Sequence, residues 1–217
     1  MYLTRTEADA IVARTAALER HAGVQVVTAV VGKADHYAEL PWTAFALGAV
    51  LAAFAVVIAD LLRPDWIGAH VALLHVLTIL GVGGASALLA IFVPVYARLF
   101  LTNLRRDTEV REYAESMFLR RELFDTRGRN GILVLVCLFE HKVEIRADTG
   151  LHGRVGEPQW RSVIARMTPA LATGKIAEAL ESGLARLDEI LREKGPPAVP
   201  DARNELGDRP IEERGAR

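Results

Sequence analysis

Cysteine is nearly missing from this chain. Cys137 is the single one in 217 residues, and one thiol excludes an intramolecular disulfide framework. It sits in the apolar run Ile132 to Leu138, where a cysteine reads as a small buried hydrophobe rather than a nucleophile. Net charge is nearly missing too: 26 Lys and Arg stand against 27 Asp and Glu. That balance argues against the basic surface a nucleic-acid binder needs, so no nucleic-acid partner is expected. The opening stretch Met1 to Arg20 mixes charges throughout and has no apolar core of the kind a secretory signal carries. The histidines His21, His36, His141 and His152 are scattered, with no spacing that makes a zinc site.

Charge is absent altogether from two stretches, Leu40 to Ala59 and Trp66 to Ala97. A helix needs about 20 predominantly apolar residues to cross a hydrocarbon core, so both suffice. Leu47, Val50, Leu51, Phe54, Val57, Ile58 and the alanines between them leave no polar stripe of the sort a soluble core helix keeps. The pattern predicts a two-helix transmembrane hairpin over residues 40–100, with spans near 42–62 and 70–97, the first span serving as its own insertion signal. Arg63 and Asp65 fall in the short connection, too short for a domain. Lys33, Arg98, Arg105, Arg106 and Arg111 flank the other side, and the Lys/Arg-rich side stays cytoplasmic. Both termini are therefore expected in the cytoplasm, with the chain in a bacterial inner membrane. Trp42 and Trp66 fit interfacial anchors. Gly81, Gly83, Gly84 and Ala85 permit close approach of a neighbouring helix, either within the hairpin or from a second copy, so a homo-oligomer is among the expected assemblies. Pro94 removes a helical hydrogen bond near the exit, and His75 reads as a tolerated polar residue.

The polar parts form one split domain. Thr4-x-x-Glu7 is a capping box, and Ala8, Ile11, Thr15, Leu18 and Ala22 follow on one helical face, ended by Gly23. Val24 to Val31 is a β-branched run of strand length. One helix and one strand, residues 1–36, make no core, and the strand's backbone groups need partners. These are expected after the hairpin, in residues 103–194. There, Arg105 to Phe124 reads as an amphipathic helix. Ile132 to Phe139 is a strand apolar enough to be buried on both faces. Lys142 to Ala147 alternates as a half-exposed strand does. Two helices follow, one opened by Glu157-Pro158 with Trp160, Val163, Ile164, Met167 and Leu171 on its apolar face. The other carries Ile176, Leu180, Leu184, Leu187 and Leu191 and closes at Gly195. Residues 195–217 hold prolines and charges with almost no apolar periodicity, which predicts a disordered tail.

The run Asp125-Thr126-x-x-x-Asn130-Gly131-Ile132-Leu133-Val134-Leu135-Val136, then His141-Lys142-Val143-Glu144-Ile145-x-Ala147-Asp148-x-Gly150, then Trp160, resembles the TPM domain family. That family includes thylakoid lumen proteins linked to photosystem repair and a modulator of acetylcholine receptors. The resemblance spans about 80 residues after the hairpin, with a weaker counterpart in Thr4 to Gly32. It implies an α/β fold, an α/β/α sandwich around a small mixed sheet, here interrupted by the hairpin.

Connectivity places candidate chemistry. Val24 to Val31 leads toward the membrane, and Ile132 to Phe139 returns in the same direction. Asp148 and the Asp125 to Asn130 loop should therefore meet at the membrane-distal end, with Arg127, Arg129, Thr149, His152, Arg154 and Glu157 nearby. Asp125, Asn130, Asp148 and Glu157 are oxygen donors of the type a hard cation takes. Some relatives bind calcium, so the resemblance implies a divalent cation such as calcium as the one candidate cofactor, with Asp148 and Asp125 as candidate metal ligands. Asp148-Thr149-Gly150 is equally ordinary turn chemistry, and the neighbouring arginines oppose a cation; the turn is the preferred reading. Some relatives have been described as phosphatases, but there is no paired-aspartate motif, no Cys-x5-Arg loop and no metal cluster of the kind phosphoryl transfer uses. No catalytic residue is assigned. The expected function is a non-enzymatic accessory or interaction module of a membrane protein complex, with the lipid bilayer and a membrane protein as partners. The alternative is a metal-dependent phosphatase-type hydrolase.

Overall fold

In the computed structural model the described residues are 1–62, 68–195 and 206–216. They fall into two units, residues 1–35 with 107–217 and residues 36–106.

The first unit is built on a four-stranded mixed sheet. Helix α1 (Arg5–Ala22) starts at a complete capping box, Thr4 with Glu7, and ends where Gly23 takes a left-handed conformation. Strand β1 (Gln25–Val31) pairs in parallel with β2 (Gly131–Cys137), from Gln25 opposite Gly131 to Val31 opposite Cys137. The two halves of the chain, separated by about 100 residues of sequence, thus share one sheet. Strand β3 (Lys142–Ala147) pairs antiparallel with β2 and forms one edge.

Side chains alternate across a pleated strand, and the central strands are buried on both faces. Val26, Val30, Ile132, Val134 and Val136 enter one core with α1, α6 (Glu157–Ala172) and α7 (Ile176–Lys194). Val27, Ala29, Val31, Leu133, Leu135 and Cys137 enter the other, with Val110, Ala114 and Met117 of α5 (Asn103–Arg120). The result is an α/β/α sandwich. On β3 the exposed-side residues are tied to α5, Lys142 to Asp107 at 3.0 Å and Arg146 to Glu115.

Two boundaries differ from the sequence reading. Helix α5 ends at Arg120 rather than Phe124, because Glu122 adopts a positive φ of 53° and Leu123 turns back to the Phe118 carbonyl at 3.1 Å. The C-terminal residues, expected to be disordered, carry structure over 206–216. Ile211–Glu213 forms β4, parallel to β1 at the other edge of the sheet. Composition missed it because a three-residue strand has no periodicity to detect, and because β1 supplies the ladder that the segment lacks by itself.

In the second unit, α2 (Glu39–Leu62) and α3 (Ala69–Phe92) are each 24 residues long and apolar enough to cross a membrane. They pack through small residues. Leu40, Ala44, Gly48 and Ala52 form the buried stripe of α2, spaced four apart, and Gly83 and Ala90 answer from α3. A Cβ on Gly48 would stand 2.8 Å from Ser86 Cβ, and one on Gly83 would stand 2.9 Å from the Phe45 ring. Of the glycines singled out in the sequence, Gly83 makes the close approach; Gly81 and Gly84 have open space beside them. The large side chains point outward, with Phe54 65% and Leu74 61% exposed.

The second apolar run is broken. Val93 is extended, as the residue before a proline prefers, and Pro94 opens the short helix α4 (Pro94–Arg98). His75 is not alone: its Nε2 lies 3.6 Å from Asp60 Oδ1. Ser86 donates to the Ala44 carbonyl at 2.7 Å and shares a 2.7 Å hydrogen bond with the Tyr96 hydroxyl. The connection containing Arg63, Asp65 and Trp66 lies outside the described residues.

Candidate functional site

The sequence placed its candidate chemistry at the start of β2 and the end of β3, and the backbone brings those segments together. The Asp148 amide donates to the Gly131 carbonyl at 2.9 Å, and the Gly150 amide donates to the Arg129 carbonyl at 2.8 Å. Gly150 is required there, since a Cβ would lie 2.4 Å from the Gly128 carbonyl oxygen. Asp148 is buried and caps the single 3-10 turn that follows it, its Oδ1 accepting from the Thr149 amide at 2.7 Å. Its Oδ2 lies 3.0 Å from Arg129 Nε. The guanidinium of Arg129 also sits 5.9 Å from the centre of the Phe124 ring.

Oδ1 is thus spent on the cap, while Oδ2 is buried, accepts no hydrogen bond among the described residues, and is held by the charge of Arg129. A cation at this carboxylate would have to displace Arg129. Asn130 is likewise engaged in the fold, donating through its side chain to the Gly23 carbonyl and through its amide to Thr126 Oγ1 at 3.0 Å. Asp125, Arg127, His152 and Glu157 are exposed, and Glu157 pairs with Arg161 at 3.2 Å on its own helix. Among the described residues no group of three or more His, Cys, Asp and Glu side chains is placed to hold a metal ion.

At the opposite end of β2 an open groove of about 620 Å³ runs between β3 and the α6–α7 connection. Val136, Leu138, Val143, Ile164, Leu171 and Ile176 line it, with His141, Lys142 and Glu144 among the polar groups. Cys137 also borders this groove; burial, with Glu140 and Glu144 nearby, pushes its thiol well above the ordinary range, so no thiolate nucleophile forms.

Two buried acids escaped the sequence reading: Glu140, whose Oε1 accepts from the Ala34 amide at 2.8 Å, and Glu19. Glu19 lies one residue beyond the α1 stripe position Leu18, and its Oε1 accepts from the Val26 amide at 2.7 Å. Burial pushes its carboxyl up to about 8; the Val26 amide pulls it down, and a hydrogen bond and like charge from Asp208 raise it. Its spacing of four from Thr15 was the signal available.

Residues 95–190 match the family model described as the TPM domain. The chain carries a TPM domain. The match starts inside the helical unit, yet the TPM sheet is completed by β1 and β4, which lie outside the matched residues. The fold is also that of BA42, a protein from the psychrophilic bacterium Bizionia argentinensis whose structure was solved by NMR: TM-score 0.58 at 14% identity, covering 98% of this chain and 96% of that one. No curated protein matches this chain.

Proposed function

We propose that this protein is an integral membrane protein whose TPM domain faces the cytoplasm and serves as a non-enzymatic interaction module of a membrane protein complex. The observation that carries the reading is the outward face of α2 and α3, where large apolar side chains are exposed and the small ones are buried. In water that arrangement costs about 25 cal/mol for each Å² of apolar surface left wet, whereas in hydrocarbon it costs nothing and the small-residue seam supplies the helix contact. The basic flanks support the reading that both termini face the cytoplasm of a bacterial cell.

The non-enzymatic part is supported by Asp148. A carboxylate spent on a cap and an arginine pair is a structural group, and the two other carboxylates offered beside it, Asp125 and Glu157, are exposed. The tests are separable. Alkaline carbonate washing of membranes should leave the chain in the pellet, and protease added to spheroplasts should leave tags on both termini intact; release into the wash removes the membrane reading. Crosslinking in native membranes should capture a membrane protein. Turnover of a phosphate ester by the purified protein, lost in Asp148→Asn, would remove the non-enzymatic one.

A further inference from the structure

The β1 edge of the TPM sheet is covered by the chain's own C-terminal segment, of which eleven residues are described, and the way it is held is that of a bound peptide. Ile211–Glu213 lies parallel to β1, with Ile211 opposite Ala29 and Glu213 opposite Val31. The Gly32 amide donates to the Glu213 carbonyl at 3.0 Å, and the Ala216 amide donates to the Lys33 carbonyl at 3.1 Å. Successive side chains of a strand point to opposite faces, and each finds a dedicated receptor. Ile211 packs into the α5-side core. Glu213, two residues on, reaches α5 on the same side: its carboxylate accepts from the Tyr113 hydroxyl at 2.7 Å and from Arg121 Nη2 at 3.1 Å, with Arg120 Nη2 at 3.7 Å. Glu212, on the other face, accepts from the Leu3 amide at 3.3 Å and from the Tyr2 amide. Burial works to raise the Glu213 carboxyl, and Tyr113, Arg121 and Arg120 outweigh it, holding it below the usual range.

We infer that this edge is a docking site for an extended acidic peptide reading apolar-Glu-Glu, presented by a partner protein, and that residues 206–216 are its intramolecular occupant. Strand addition at a sheet edge gives affinity through the backbone and specificity through alternate side chains. Here the backbone donors and acceptors, an apolar pocket and a cationic clamp are all supplied by the domain, and the occupant adds a three-residue ladder. The occupant is tethered through residues 196–205, so a partner competes against its local concentration. The inference rests on the interaction-module reading and names that module's surface and ligand chemistry.

The test uses the full chain in detergent and a fluorescent peptide of residues 206–216. The double variant Ile211→Asp/Glu213→Lys unseats the strap without touching the cleft. It should bind the peptide about 100-fold more tightly than the wild type, the order of a short tether's advantage, and a scrambled peptide should not bind. Adding Arg120→Glu/Arg121→Glu should abolish binding and transfer it to a peptide with arginine at the Glu213 position. Gly215→Val provides a second unseating variant, because Gly215 has a φ of 81° and a Cβ there would lie 1.8 Å from the Lys33 carbonyl oxygen. In the unaltered chain, saturating peptide should speed hydrogen exchange at the Ala216 amide.

Equal binding of the scrambled peptide, no gain in whichever unseating variant folds, or no change at Ala216 in the wild type would each overturn the inference. Exchange of tails between two copies, seen as a dimer that dissociates when peptide is added, would overturn the assignment to a foreign partner. Capture of a membrane partner by crosslinking while the peptide fails to bind would leave the interaction module standing and this surface refuted.

Discussion

The two units use the same apolar residues in opposite ways. In the sandwich the large side chains are inside: Leu133, Leu135 and Met117 are fully buried and the helices around them turn charge outward. In the helical pair the small ones are inside, Ala44, Gly48 and Gly83, and leucine, phenylalanine and valine face out. The lesson is that burial is not a property of a residue type but of its solvent. Where water is outside, the largest apolar group gains most by hiding. Where hydrocarbon is outside, as proposed for the helical pair, there would be no such gain, and the interior would be decided by how closely two backbones can approach.

The comparison is tested most severely at the centre of the sheet. Leu135→Ala should destabilise the sandwich by about 2–5 kcal/mol, the range for a buried leucine that leaves a cavity. Leu51→Ala, on the exposed face of α2, should leave the sandwich's stability unchanged. Cys137 is the readout: it is buried in the same core, so its labelling rate by a thiol reagent in increasing urea reports opening of this unit. Equal sensitivity to both substitutions would mean that the outer face of α2 is a core in its own right.

The helical seam gives the next largest effect. Gly83→Leu should weaken the α2–α3 pair by about 1–3 kcal/mol through overpacking, because the Phe45 ring and carbonyl already stand within 3.1 Å of where its Cβ would be. Gly84→Ala has open space and should be neutral or should stiffen the helix by up to about 1 kcal/mol. Disulfide trapping between cysteines introduced at Ala52 and Val82 would rank the variants. Asp148→Ala comes third. It removes the cap on Thr149 and the Arg129 pair, and a loss of about 1–2 kcal/mol is expected, measured again through Cys137 labelling. Asp125→Ala, exposed in the facing loop, should change it by less than about 0.5 kcal/mol.

These contrasts also separate what the residues reveal by themselves from what only their packing does. Period and punctuation sufficed for the sandwich. Thr4 and Glu7 announce the first helix, Gly23 ends it, and the apolar run before the helical pair needs strand partners that lie after it. The meeting of Asp148 with the Arg129 loop followed from chain direction alone. Close contacts were less legible. The approach at Gly83 rather than Gly81 depends on which way a helix is rotated, and a run apolar all round carries no stripe to show it. The pairing of His75 with Asp60 needed the antiparallel register of two helices. The C-terminal strand was hidden because its three residues are ordinary, and the information lies in Tyr113, Arg120 and Arg121, about 90–100 positions away. Glu19 was passed over because a carboxylate is counted by habit to the exposed face.

That last residue makes the smallest and most specific prediction. An acid whose carboxyl is raised on folding binds more protons in the folded state between its ordinary value and its raised one, so stability falls as pH climbs through that window. For Glu19 the window runs from the ordinary 4.5 to about 8. Below it the protonated acid can donate to Asp208 while its other oxygen accepts from Val26; above it two carboxylates face each other, and the segment carrying Asp208 is pushed from α1. Hydrogen exchange at the Leu206 amide, which donates to Gln25 Oε1 at 3.0 Å, should therefore quicken between about pH 5 and 8 beyond the intrinsic rise, and gain no further excess above that window. Glu19→Gln keeps an acceptor for Val26 and supplies a permanent donor to Asp208, so it should flatten that excess and leave the exchange at about pH 4, below the window, unchanged. A variant that quickened exchange equally at about pH 4 and pH 8 would show that Glu19 acts by packing and not by its proton.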